Sequence, residues 1–171
     1  MTKIIGIDPS LSSTGWAVVE KNNQSFRYIS SGTIKTKSSD EIVNRIFTIK
    51  QSLDAVLALY IVDCAIVEDC FVSINQASSL KLAISKGSIL SSLCDFFIKL
   101  HPINTDKSMI DLSTIIKNVS PTFVKKAITG SGKADKIQID KMIRMIVTGI
   151  PDGVFKNNDE SDAIAIAICI A

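Results

Sequence analysis

The sequence predicts an α/β fold in a single domain, residues 1–171, with five strands covered by helices. Three observations lead there. Three segments rich in β-formers follow one another within the first 35 residues, parted by short polar turns. Short apolar runs then alternate with stretches of three- and four-residue apolar spacing, the pattern of strand and helix in turn. A length of 171 residues suits one hydrophobic core.

The first strand holds Ile4, Ile5 and Ile7, broken only by Gly6, a β-branched run of the kind buried on both faces of a sheet. Asp8 ends it. Pro9 and Ser10 stop the ladder, and Ser12, Ser13, Thr14 and Gly15 supply a turn. Trp16, Ala17, Val18 and Val19 resume as the second strand of a hairpin with Asp8 at its mouth. Residues 26–35 form a third strand, giving three antiparallel neighbours. Ser39 or Asp40 can cap a helix reaching Tyr60, with Ile42, Ile46, Ile49, Leu53, Val56 and Leu57 at helical spacing. Residues 62–67 make a fourth strand that ends in Glu68, so a second carboxylate closes a second strand.

Helical spacing returns over residues 77–100 and covers more than one stripe, enough for contact with the sheet and with a partner subunit. Residues 101–113, with weak periodicity, read as a surface insertion, and residues 114–119 as the fifth strand. Residues 121–129 form a short helix, Gly130, Ser131 and Gly132 a loop, and residues 136–148 a further helix. After a loop at 151–158, Asn157 or Asn158 caps a last helix, D-E-S-D-A-I-A-I-A-I-C-I-A.

Composition excludes several classes. With 46% hydrophobic and 21% charged residues the chain is not disordered, and no run of ~18 apolar residues suits a membrane span. No secretory signal precedes Asp8, so a cytoplasmic protein without membrane contact is expected. Cys64, Cys70, Cys94 and Cys169 form no C-x-x-C pair and read as reduced core thiols, while His101 alone offers no zinc set. Net charge is only +2, but residues 117–144 carry seven basic side chains against two aspartates. Such a cluster, including Lys125, Lys126, Lys133 and Lys136, is either a solvated face or a surface for phosphates.

Asp159 and Asp162 stand three apart at the start of the last helix and share a face. A favourable helix dipole explains the pair by itself, as a turn cap explains Asp8. Combined with Glu68, however, the four make an acidic set at the ends of two strands and one buried helix. Four carboxylates in a partly buried pocket repel one another unless cations neutralise them. Mg²⁺ takes a few carboxylates and keeps positions for water and phosphate oxygens, which suits two-metal phosphodiester cleavage.

The residues I-G-I-D-P-S-x-x-x-T-G at 5–15, V-E-D-C-F at 67–71, N-Q-A-S-S-L-K-L-A at 75–83, V-K-K-A-I-T-G-S-G-K-A-D-K at 124–136 and D-E-S-D-A-I-A-I-A-I at 159–168 closely resemble the RuvC family of Holliday-junction resolvases. The likeness runs in the family's order over nearly the whole chain. It implies an RNase H-like fold, a five-stranded mixed sheet flanked by helices. It also implies a homodimer that nicks opposite strands of a four-way DNA junction in recombination and repair. Asp8, Glu68, Asp159 and Asp162 then match the catalytic, metal-binding acids, with two Mg²⁺ per site and Mn²⁺ able to substitute. Lys125 and Lys136 match lysines at the scissile DNA, and Phe71 an aromatic that stacks on an unpaired base, against the plain alternative of a core Phe. A branch-migration helicase partner stays open.

Asp69 departs from a position where Gln is common and adds charge beside Glu68. A broader rival is a debranching endonuclease of a phage or mobile element, acting on forks and flaps. A nucleotide-binding module of the actin and sugar-kinase type would need two such domains and further phosphate loops, which the chain lacks.

Overall fold

The structure, a computed structural model, describes residues 1–70, 76–101, 111–154 and 158–170. Phe71, most of the expected insertion and Asn157 lie outside the described residues. The opening hairpin forms as expected, with Ser13, Thr14 and Gly15 in the second strand and not in the turn: β1 (Thr2–Asp8) pairs antiparallel with β2 (Ser13–Asn22), and β2 with β3 (Ser25–Lys35). Helix α1 (Ile42–Leu59) follows, then β4 (Cys64–Glu68), α2 (Gln76–Leu100), the short α3 (Leu112–Ile115) and β5 (Ile116–Val119). The chain ends in α4 (Pro121–Thr129), α5 (Lys136–Ile146), β6 (Val147–Thr148) and α6 (Asn158–Ile168).

Among the described residues the sheet is mixed and has six strands rather than five, in the order β5-β4-β1-β2-β3-β6. The sixth is the two-residue β6, parallel to β3 at Phe26 and Arg27. It takes the end of the helix expected to reach 148, and two residues are too few to carry a period. The fifth strand also starts later than expected. Asp111 caps α3 by accepting from the Ser113 N–H at 3.0 Å, so residues 112–115 coil into a turn before the ladder begins. Neither Ser39 nor Asp40 caps α1. A turn from the Asp40 N–H to the Lys37 carbonyl occupies that stretch, and Glu41 precedes the helix without a side-chain cap.

Strand alternation sorts the core into two layers. Ile4, Ala17, Val19 and Ile66 pack under α4, α5 and α6, whereas Ile5, Ile7, Val18, Ala65 and Val67 pack under α1 and α2. The sheet is therefore covered on both faces, as the β-branched run in β1 implied. Among the four free cysteines only Cys169 is buried; Cys64, Cys70 and Cys94 are half-buried. Among the described residues no helix is long and apolar enough to cross a membrane.

Candidate active site

β1 and β4 are parallel neighbours, with Ile7 opposite Val67, so Asp8 and Glu68 leave the sheet at the same level. Neighbouring strands lie ~4.8 Å apart, which starts the two carboxylates close together. Both fall on the alternation of Ile4, Gly6 and Ile66, the face covered by α6. Two glycines allow α6 to come down onto that face. A Cβ on Gly6 would stand 2.2 Å from the Ala163 carbonyl oxygen, and one on Gly15 would stand 2.1 Å from that of Asp159. Only a bare Cα at each point lets the helix touch the strand backbone. The acidic first turn of α6 is thereby laid beside the end of β1.

The electrostatics record this convergence. Burial first, then the charges of Glu68, Asp162 and Asp159, push the Asp8 carboxyl from 3.8 to about 7, with Lys136 pulling the other way. Burial and then Asp162 push Glu68 from 4.5 to about 7, while Lys125 and Lys86 oppose. The four expected acids are thus brought into one field. They do not close on a point: among the described residues no three Asp, Glu, His or Cys side chains are drawn in tightly enough to hold an ion as they stand. Asp159 accepts a hydrogen bond from the Ser13 hydroxyl, and Asp162 is paired to Lys136 at 2.9 Å.

The donor set nevertheless fits a hard divalent cation. It is all oxygen, it concentrates negative charge, and two of its members are pushed up to about 7 by burial and then by neighbouring carboxylates, a cost that a bound cation offsets. An open cleft of about 260 Å³ adjoins it, lined by Glu68, Asp162, Lys125 and Lys136 among others. Acids and cations therefore share one wall, the arrangement needed to seat a phosphodiester against carboxylates that would otherwise repel it.

Of the four expected cationic contacts the structure brings Lys125 and Lys136 to this cleft; Lys126 and Lys133 are exposed and do not line it. Asp69 adds charge beside Glu68 as expected and helps raise it, but its carboxylate is paired with Lys86 of α2 at 2.6 Å, and its N–H donates to the Val119 carbonyl at 2.7 Å. Sequence reasoning missed Ser13 as the partner of Asp159. The signal was weak, one hydroxyl within a run of turn formers. It also missed Arg45, which is 8% exposed, although a lone cation on the apolar face of α1 was there to be noticed.

Three comparisons place the chain. The family model described as crossover junction endodeoxyribonuclease RuvC matches residues 4–170. Curated proteins of that name from Rickettsia felis and Rickettsia akari are 39% and 41% identical over 164 residues, 96% of this chain and 94% and 93% of theirs. A solved structure of T. thermophilus RuvC in complex with Holliday junction substrate matches with a TM-score of 0.79 at 22% identity, covering 98% of this chain and 91% of that one. The RNase H-like fold expectation holds, with one strand added.

Proposed function

The chain belongs to the RuvC family of crossover junction endodeoxyribonucleases, Holliday-junction resolvases, and on that premise we propose that Asp8, Glu68, Asp159 and Asp162 are the acids with which it cuts. One observation carries the assignment: Asp8 and Glu68 end neighbouring parallel strands and α6 is laid against them with Asp159 and Asp162 at its start, where burial and the neighbouring carboxylates push Asp8 and Glu68 up to about 7.

Nucleases of this family are metal-dependent. The proposal gives the site two Mg²⁺, with Mn²⁺ able to substitute, held by these four acids; when bound, such ions activate the attacking water and stabilise the leaving oxygen. The chain's own groups do the rest. Ser13 orients Asp159 by donating to it. Lys136 neutralises Asp162 and stands ready to accept a phosphate oxygen in its place, and Lys125 holds a second cation beside Glu68. Lys126 and Lys133 would serve backbone phosphates further out, and Phe71 would stack on a base at the opened junction.

Paired nicks need two sites, so the proposal includes a homodimer. Exposed Leu80 and Ile84 on α2, with Val43 and Phe47 on α1, supply the apolar surface for it. A strictly monomeric mass by light scattering at high concentration would remove that part. The reading treats residues 1–171 as one nuclease domain. It places the protein in bacterial or phage-infected cytoplasm, in keeping with its bacterial relatives. The broader debranching alternative is not favoured, since the matched relatives are named for crossover junctions. The test is a nicking assay with Mg²⁺ on a synthetic four-way junction beside forks and flaps at equal enzyme. Symmetric cuts in two opposing arms are expected; preferential cutting of forks would overturn the junction reading.

A further inference from the structure

The β1–β2 loop, residues 9–12, has two sides. One leads to the acids through Ser13 and Asp159. The other walls a separate cleft of about 360 Å³, lined by Ser10, Ser12, Ser38, Arg45, Ser78 and Lys81 together with two leucines. Arg45 is 8% exposed. A buried guanidinium is expensive unless an anion pairs with it. Here every recorded partner is neutral: Nε donates to Thr36 Oγ1 at 2.9 Å, and Nη2 to Ser12 Oγ at 3.1 Å and the Leu11 carbonyl at 3.3 Å. Among the described residues no carboxylate forms an ion pair with it.

The loop is fixed in place. The Ser10 carbonyl accepts from Thr14 Oγ1 at 2.5 Å and from Ser85 Oγ at 3.2 Å, and Thr36 Oγ1 donates to the Leu11 carbonyl at 2.5 Å. A pinned loop, an uncompensated buried cation, an exposed Lys81 and several hydroxyls make a preorganised seat for a tetrahedral oxyanion.

We propose that this cleft binds a backbone phosphate of the DNA substrate close to the one that is cut. The proposal rests on the nuclease reading of the acidic cluster. Ser10 and Ser12 lie two and four residues beyond Asp8, at most ~7 and ~14 Å along the chain. Within that reach, the bound phosphate falls no more than a few nucleotides from the scissile one. The cleft thus sets the register of the strand entering the site, a task the cations at Lys125 and Lys136 do not perform because they line the cleavage cleft itself.

The test measures binding of the full chain to a four-way junction, without divalent ions, across a salt series. Arg45 also staples the loop, so the variants are Lys81→Gln and Ser38→Glu, both at exposed positions. Lys81→Gln should weaken binding severalfold and lower the slope of log K against log salt by ~0.9; Ser38→Glu should weaken it further. Lys99→Gln makes the same charge change ~27 Å along the same helix and should do neither. Wild-type affinity and slope in both variants, with binding weakened and the slope lowered in Lys125→Gln, would overturn the cleft and leave the nuclease reading standing. Wild-type protein that neither binds nor nicks the junction would remove both. Inorganic phosphate that raises the melting temperature of the wild type but not of Lys81→Gln, with junction binding unchanged in the variant, would assign the cleft to a small anion instead.

Discussion

Replacing Asp8 by Asn should make the protein more stable in the absence of divalent ions while abolishing cleavage. Burial, then Glu68, Asp162 and Asp159, raise the Asp8 carboxyl from 3.8 to about 7. An unfolded Asp titrates near its ordinary value, so between pH ~4 and ~7 the folded chain holds a proton that the unfolded chain has released. More protons in the folded state means that stability falls as pH rises through that window, and that the whole loss is in force above it. At ~1.36 kcal/mol per pH unit the difference has an upper bound of about 4 kcal/mol. Partial exposure and sharing of the shift among coupled acids reduce the working figure to about 2 kcal/mol. Asn keeps the shape without the charge and should recover it, a rise of ~4–8 °C in melting temperature at this chain length. Calorimetry in a chelator should give that gain at pH ~8, less than half of it at pH ~5, and almost none at pH ~3. Adding Mg²⁺ should stabilise the wild type and not the variant. A variant no more stable than the wild type at pH ~8, or one whose gain is independent of pH, would refute the claim that these acids are crowded and desolvated.

Four further outcomes follow from the same geometry. Asp162→Asn should abolish metal-dependent nicking while junction binding survives or tightens, since it removes a carboxylate and frees Lys136 for phosphate; retained nicking with lost binding in a gel-shift and cleavage pair would contradict it. Lys125→Gln and Lys136→Gln should each lower the salt slope of junction binding by ~0.9, and an unchanged slope returns them to a solvated face. Divalent-ion affinity, followed by titration calorimetry, should rise with pH through about 7 because Asp8 and Glu68 must release their protons to bind, and a flat profile would count against their role. Gly6→Ala should destabilise by ~1–3 kcal/mol, read from thermal melts, because its Cβ would meet the Ala163 carbonyl oxygen at 2.2 Å and the Ala167 nitrogen at 2.5 Å; an unchanged melting temperature would mean that α6 does not press on β1.

The parts of this architecture legible in sequence are those written in period and in chain ends. Asp8 and Glu68 each close an apolar β-run, and the fold's parallel pairing of β1 with β4 makes two such ends neighbours. Asp159 and Asp162 precede an almost wholly apolar helix, which has to be buried, so their turn has to abut the sheet. What stayed hidden depends on single hydrogen bonds or on distance. Whether Asp69 enters the acidic pocket is decided by Lys86, seventeen residues further on and one helix away. Whether Ser39 or Asp40 caps α1 is decided by a turn back to Lys37. β6 exists because β3 has a free edge at Phe26 and Arg27, a property of the partner strand and not of Val147 or Thr148.

Gly6 and Gly15 join the two kinds of information. In the sequence Gly6 looks like a weak point in a strand and Gly15 like a turn residue, neither with a side chain to pack. In the fold they are the contacts through which α6 meets β1 and β2, at Ala163 and at Asp159. A bulkier residue at either would lift the acidic turn away from Asp8 and so lessen both the burial and the Asp159 and Asp162 repulsion that raise its titration to about 7. The strain on the acids and the closeness of the helix are therefore one property, and a chain that relaxed the first by moving the helix would lose the geometry that gathers a cation to the strand ends.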